Sequence, residues 1–259
     1  MEVSDVYAWN VDHKSKRKNS SLLPESIRGL IIGKSNCGKT TVLLNLLLQP
    51  QWLDYDHLFV FGRSLHQKEY KILEKGFAAN LSKEQISNIF MNQHLLKQDP
   101  ESLIQSFINE NGTARGGIKA NFYSDCSSIP DPAELNHNDK NLLILDDCLL
   151  EKQTKAESFY TRGRQNNCDT FYISQNYFRL PRHTKRENSN FIILFPQDAK
   201  NLTHIYADHC DDDMSIDEFK TFCRKTWSIQ HNFVTIDLTS TSMNGKYRQN
   251  FDCFYFPDQ

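Results

Sequence analysis

The sequence predicts an α/β fold of the P-loop NTPase class, built on a mainly parallel sheet flanked by helices. Three observations point to it. Short apolar runs of the buried-strand type recur along the chain, helical stretches separate them, and a glycine-rich segment joins the first run to the first helix. Residues 1–24 carry no regular apolar period and contain His13-Lys14-Ser15-Lys16-Arg17-Lys18, so they read as a leading arm. Such a run is either a solvated tail or a contact for nucleic acid or nuclear import. Residues 25–259 read as one domain with a C-terminal extension of strand and helix.

Within that domain, Gly29-Leu30-Ile31-Ile32-Gly33 is an apolar run closed by glycine, as a buried strand would be. Residues 40–48 read as a helix that Gln49-Pro50 ends. His57-Leu58-Phe59-Val60-Phe61-Gly62 is a second buried strand, and residues 64–110 are largely helical and polar. Residues 111–117 and Ile129-Pro130-Asp131-Pro132 are breaks. Leu142-Leu143-Ile144-Leu145 is a third strand ending in two aspartates, followed by a helix over 154–163. Further strands fall at 170–174, 191–195 and 232–239.

Composition narrows the classes. A chain of 259 residues with 17 Phe and 10 Tyr can bury a sizeable core, which argues against wholesale disorder. A formal charge of -2 leaves partners to local patches rather than to the overall balance. The longest apolar stretch, near 41–48, is interrupted by Asn45 and falls well short of the roughly 18 residues a membrane span needs. Residues 1–10 are acidic and mixed, unlike a secretory leader. The 7 cysteines are scattered without a Cys-x-x-Cys pair, so reduced thiols in an intracellular protein are expected.

Gly33-Lys34-Ser35-Asn36-Cys37-Gly38-Lys39-Thr40 matches G-x-x-x-x-G-K-[ST] without a gap. In this loop, continuing to Thr41, backbone N–H groups curl around phosphate oxygens. Lys39 reaches the β- and γ-phosphates and the Thr40 hydroxyl ligates Mg²⁺. Its setting between an apolar strand and a helix start adds a field that favours anions. Asp146 and Asp147, beyond the third strand, supply the second half of such a site. Asp146 is read as holding Mg²⁺ through its water shell, and Asp147, where many ATPases carry Glu, as polarising the attacking water. An Asn-Lys-x-Asp guanine-reading motif is absent, because Asn166-Asn167-Cys168-Asp169 precedes a strand and lacks the lysine. ATP with Mg²⁺ is the expected ligand.

The stretch after the two aspartates is more distinctive. It runs Thr161-Arg162-Gly163-Arg164-Gln165, then an apolar strand ending Ser174-Gln175, then Tyr177-Phe178 and Leu180-Pro181. Together with Asp217-Glu218-Phe219-Lys220, Trp227, Phe233-Val234-Thr235-Ile236-Asp237 and Gly245-Lys246-Tyr247-Arg248, it resembles the poxvirus A32-like genome-packaging ATPases of the FtsK/HerA superfamily. The similarity spans about residues 27–251, closest in style to the smaller members from virophages, Polintons and adomaviruses. Gln165 departs from the histidine of many relatives.

The resemblance implies an ATPase that drives double-stranded DNA into a preformed capsid as a homo-oligomeric ring, pentamer or hexamer, meeting capsid proteins at a portal or vertex inside the host cell. It gives Gln175 a sensor role toward the γ-phosphate or the attacking water. It makes Arg164, and second Arg162, the arginine finger inserted into a neighbour's site. Arg63, after the second strand, is either nucleotide- or neighbour-facing or a plain surface arginine. Arg179, Arg182, Lys185 and Arg186 form a basic segment for DNA phosphates, or else a solvated face or subunit contact. Asp208, Asp211, Asp212, Asp213, Asp217 and Glu218 are read as capping a helix near Ser215 or repelling DNA. Two other functions fit the motifs: a helicase- or recombination-type DNA motor, and an ATP-binding switch or scaffold without turnover.

Overall fold

The computed structural model describes residues 19–92, 99–112, 116–148 and 153–258, apart from the side chains of His183, Lys185 and Arg186. The basic run of the leading arm lies outside the described residues.

Nine strands form one sheet in the order β3-β2-β4-β5-β1-β6-β7-β8-β9. They are β1 (Arg28–Ile32), β2 (His57–Gly62), β3 (Lys119–Tyr123), β4 (Asn141–Asp146), β5 (Cys168–Ser174), β6 (Phe191–Leu194), β7 (Val234–Asp237), β8 (Tyr247–Gln249) and β9 (Cys253–Tyr255). From β3 to β6 every pairing is parallel, and β7, β8 and β9 continue antiparallel.

Both faces of the parallel part are covered, which is why its strands are continuous apolar runs. In β4, Leu142 and Ile144 point into one core while Leu143 and Leu145 point into the other. The first core is roofed by α1 (Lys39–Leu48), α2 (Lys68–Ala78), α3 (Lys83–Met91) and α4 (Pro100–Asn111). The second is roofed by α5 (Thr154–Arg162), α6 (Ala199–His209) and α7 (Ile216–Trp227). Side chains cap four of these helices: Ser82 in a capping box with Gln85, and Asp99, Asp198 and Ser215.

The structure adds elements the sequence reading lacks, namely β3, β8, β9 and α6. It also reassigns the acidic cluster. Ser215, not an acid, accepts from the Glu218 N–H at the start of α7. Asp213 takes Lys246 and the Tyr247 hydroxyl, and Asp208 takes the Tyr177 hydroxyl. Cys126 and Cys148 are joined as a disulfide with Cα atoms 6.0 Å apart, against the expectation of reduced thiols throughout. The fold sets the turn at 126–128 against the end of β4, a proximity that sequence spacing does not reveal.

The antiparallel extension is clamped by a buried ion pair. Arg248 Nη2 donates to Asp237 Oδ2 at 2.6 Å with both side chains about 95% buried, and Arg248 also donates to the Gly245 and Leu22 carbonyls. Arg248→Ala would leave Asp237 as an uncompensated buried carboxylate. The expected loss is about 3 kcal/mol, read as a lower urea midpoint at unchanged slope.

Candidate functional site

All strands from β2 to β6 point their C-terminal ends to one edge, where ligands of open α/β sheets bind. A cleft of about 830 Å³ opens there. Its walls come from the loops after β1, β2, β4 and β5 and from the turns flanking β7 and β8.

At the centre is the loop between β1 and α1. Gly33 has no room for a side chain, since a Cβ would stand 2.5 Å from Cys37 Sγ and 2.6 Å from Phe195 Cβ. Gly38 adopts φ 111, a conformation that glycine supplies without strain. The turn they permit points the first N–H groups of α1 into the cleft, where no side chain caps them and no acid sits in the first turn. Lys39 Nζ donates to the Gly33 and Lys34 carbonyls at 2.7 Å each, which draws the ammonium back across the loop. Of the residues the motif singles out, Ser35, Asn36, Gly38, Lys39, Thr40 and Thr41 line the cleft. Gly33 and Cys37 instead pack inward, where burial raises the Cys37 thiol's pKa. The Lys34 side chain is exposed.

Asp146, Asp147 and Gln175 line the same cleft. β5 lies between β1 and β4, so Gln175, just past the end of β5, sits between the lysine loop and the aspartates. Asp147 holds φ 55, an uncommon backbone state for a non-glycine residue, with its N–H bonded to the Ile173 carbonyl. The structure adds a partner that sequence reasoning missed: Tyr70 on α2 donates to Asp146 Oδ2 at 2.6 Å. No motif signals that tyrosine, whose contact arises only because α2 folds back over β4.

Burial pushes the Asp146 carboxyl above its usual range. The Tyr70 hydrogen bond and Lys39 oppose that shift, and the Asp147 charge adds to it. Asp146 thus holds its proton more tightly folded than unfolded. The resulting stability is complete below the unfolded value of about 3.9 and is lost as pH rises through the raised folded value. At neutral pH the ionised carboxylate is therefore a net cost. Asp146→Asn is expected to raise the thermal midpoint of the nucleotide-free protein at pH 7, and calorimetry should show the gain shrinking as the pH is lowered.

Other predicted residues lie away from the cleft. Arg162 and Arg164 fall at the opposite, N-terminal edge of the parallel strands, and Arg162 bonds Asp131 of the same chain at 2.9 Å. Arg164 is exposed beside Arg28, whose pKa is lowered by burial first and by Arg164 second. Arg179 and Arg182 are exposed, with Arg182 paired to Glu187 at 3.5 Å. Lys185 and Arg186 fall in the turn at 183–188, where their side chains lie outside the described residues. Arg63 is exposed just after β2.

A scan against protein-family models found no match, and no curated protein matches the chain in sequence. Solved structures do resemble it. The genome packaging NTPase B204 from Sulfolobus turreted icosahedral virus 2, in complex with sulfate, gives a TM-score of 0.52 at 12% identity. That match covers 90% of this chain and 100% of the other. The same protein in complex with AMPPCP gives 0.49 at 12% identity, covering 90% and 98%. VirB4 of Thermoanaerobacter pseudethanolicus gives 0.42 at 12% identity, covering 81% and 86%. At these identities the likeness is one of architecture. The chain has the α/β fold of the P-loop NTPases, with a mainly parallel sheet in which β5 separates the phosphate-loop strand from the aspartate strand.

Proposed function

We propose that the chain is a Mg²⁺-dependent ATPase that moves double-stranded DNA into a preformed capsid as a homo-oligomeric ring. The observation that carries the nucleotide part is the convergence, in one cleft, of an uncapped helix start, Lys39, Thr40, the two aspartates and Gln175. The donor set suits a metal–nucleotide. Thr40 offers a hydroxyl, and Asp146 is a desolvated carboxylate whose charge calls for a nearby cation. Bound Mg²⁺ would neutralise phosphate charge. Lys39 would turn from the loop carbonyls to the phosphates, Asp147 would orient a water, and Gln175 would bond that water or the γ-phosphate.

The packaging role rests on the resemblance of residues 161–181 and of the C-terminal segments to viral packaging ATPases. It agrees with the genome packaging NTPase whose architecture the chain shares. In this reading Arg164 reaches a neighbour's nucleotide, and Arg179, Arg182, Lys185 and Arg186 meet DNA phosphates. Capsid proteins at a portal or vertex are the other partners, inside the infected host cell.

The test is ATP turnover across protein concentrations, with and without double-stranded DNA. Turnover rising steeply with both supports the motor. ATP binding with flat turnover overturns it in favour of a switch, and unwinding with a single-strand preference points to a helicase.

A further inference from the structure

We propose that the C-terminal extension forms the base-binding end of the cleft, with the His231 ring stacked on a purine and the Asn232 amide donating to one of its ring nitrogens. The inference rests on the nucleotide reading above and assigns the choice of base to residues outside the phosphate loop.

The sheet order lays out the cleft. Crossing the strand ends from β4 to β7, one meets the aspartates, then Gln175, then the phosphate loop after β1, and last His231 and Asn232 before β7. The γ-phosphate end lies with the aspartates, so the sugar and base extend to the far side of the loop. Thr41 and Asn45, one helical turn apart on α1, are exposed and line that side with His231 and Asn232. Among the described residues no lysine or arginine lines it, which makes it unsuited to phosphate and suited to a neutral, flat group.

The polar groups there are held in place. His231 and Asn250 both take left-handed backbone conformations, φ 67 and φ 53, on adjoining turns. Backbone states of this kind persist where the surrounding structure enforces them. Here Asn250 Oδ1 accepts from the Phe233 N–H, Asn250 Nδ2 donates to Asn232 Oδ1, and the Asn250 N–H donates to the Phe233 carbonyl. Phe233 anchors the assembly between Phe195 and Phe251. With its oxygen occupied, Asn232 presents its NH₂, which has no partner among the described residues. His231 is exposed, and its Nδ1 lies 3.7 Å from where a Cβ on Gly38 would stand, so the ring borders the phosphate loop. An aromatic face beside a free amide donor matches a nucleobase; every base stacks, and a purine brings the larger face together with ring nitrogens that accept.

Calorimetric titration with Mg–ATP, Mg–UTP and Mg–tripolyphosphate tests this on the full chain. Wild type should prefer ATP to UTP. His231→Asn removes the ring while suiting a left-handed backbone, and it should weaken ATP about tenfold while leaving tripolyphosphate unchanged. Asn232→Ala should narrow the preference for ATP over UTP. An unchanged ATP affinity in both variants overturns the inference and leaves the nucleotide reading standing. Equal losses for ATP and tripolyphosphate also overturn it, because His231 would then act through the phosphate loop. If wild type binds none of the three, the nucleotide reading itself fails and the base site with it.

Discussion

Lys39→Ala is expected to reduce ATP turnover by about a thousandfold or more. Removing a single neutral donor from a preorganised anion site typically costs about 10²–10³ in rate, and a full positive charge in a phosphoryl-transfer site contributes at least as much. The local structure sharpens the expectation. Among the described residues lining the cleft, Lys39 is the one lysine or arginine, beside the carboxylates Glu69, Asp146 and Asp147. Without the ammonium, a triphosphate would meet helix-start N–H groups and three acids. Binding of Mg–ATP should weaken along with turnover, separating this variant from one that loses only a transition-state contact. Lys39 makes its two hydrogen bonds to the loop's own carbonyls, so the fold should survive, with circular dichroism and the thermal midpoint near wild type. A variant that binds and turns over ATP normally would remove this cleft from the reaction.

Much of the parallel half of this sheet is legible because its strands are buried on both faces. Gly29–Ile32, 58–62, 142–145 and 191–194 are uninterrupted apolar runs, the pattern that double burial imposes. The edges are not legible for the converse reason. β3 reads Lys-Ala-Asn-Phe-Tyr and is only partly buried, and β8 and β9 are three residues each, one of them carrying the buried Arg248. A short half-exposed strand needs no apolar run, and an arginine in a core position is intelligible only once its ion pair with Asp237 of the neighbouring strand is seen. The site divides the same way. The phosphate loop and the aspartates are contiguous strings whose chemistry dictates residue type and spacing. Tyr70 on α2, the pair His231 and Asn232 before β7, and Asn250 after β8 come from three separate parts of the chain. The last three line the cleft and Tyr70 reaches it through Asp146, all by way of the sheet order, so no local pattern marks them. The pairing of Cys126 with Cys148 is hidden for the same reason.

Mixing two inactive proteins is expected to produce an active one if Arg164 serves a neighbouring site. Arg164 precedes β5, whose seven residues separate it from the cleft at Ser174. At about 3.3 Å per residue this is roughly 20 Å, far beyond an arginine's reach, so the guanidinium cannot touch the nucleotide of its own chain. A finger supplied from another subunit accounts for about 10³–10⁵ in rate in other P-loop systems, and Arg164→Ala should lose turnover on that scale. ATP binding should hold, since every residue lining the cleft is unchanged. Lys39→Ala subunits have the complementary defect, keeping the arginine and lacking a working cleft. In mixed rings, an Arg164→Ala subunit beside a Lys39→Ala neighbour has both parts, and turnover should reappear in proportion to such pairs, peaking near equal amounts. A purely structural Arg164 predicts something different: a lowered thermal midpoint and no recovery at any ratio. Recovery by Arg162→Ala in the same mixture, with Arg164→Ala remaining active alone, would move the finger two residues back, to a side chain that must first leave Asp131.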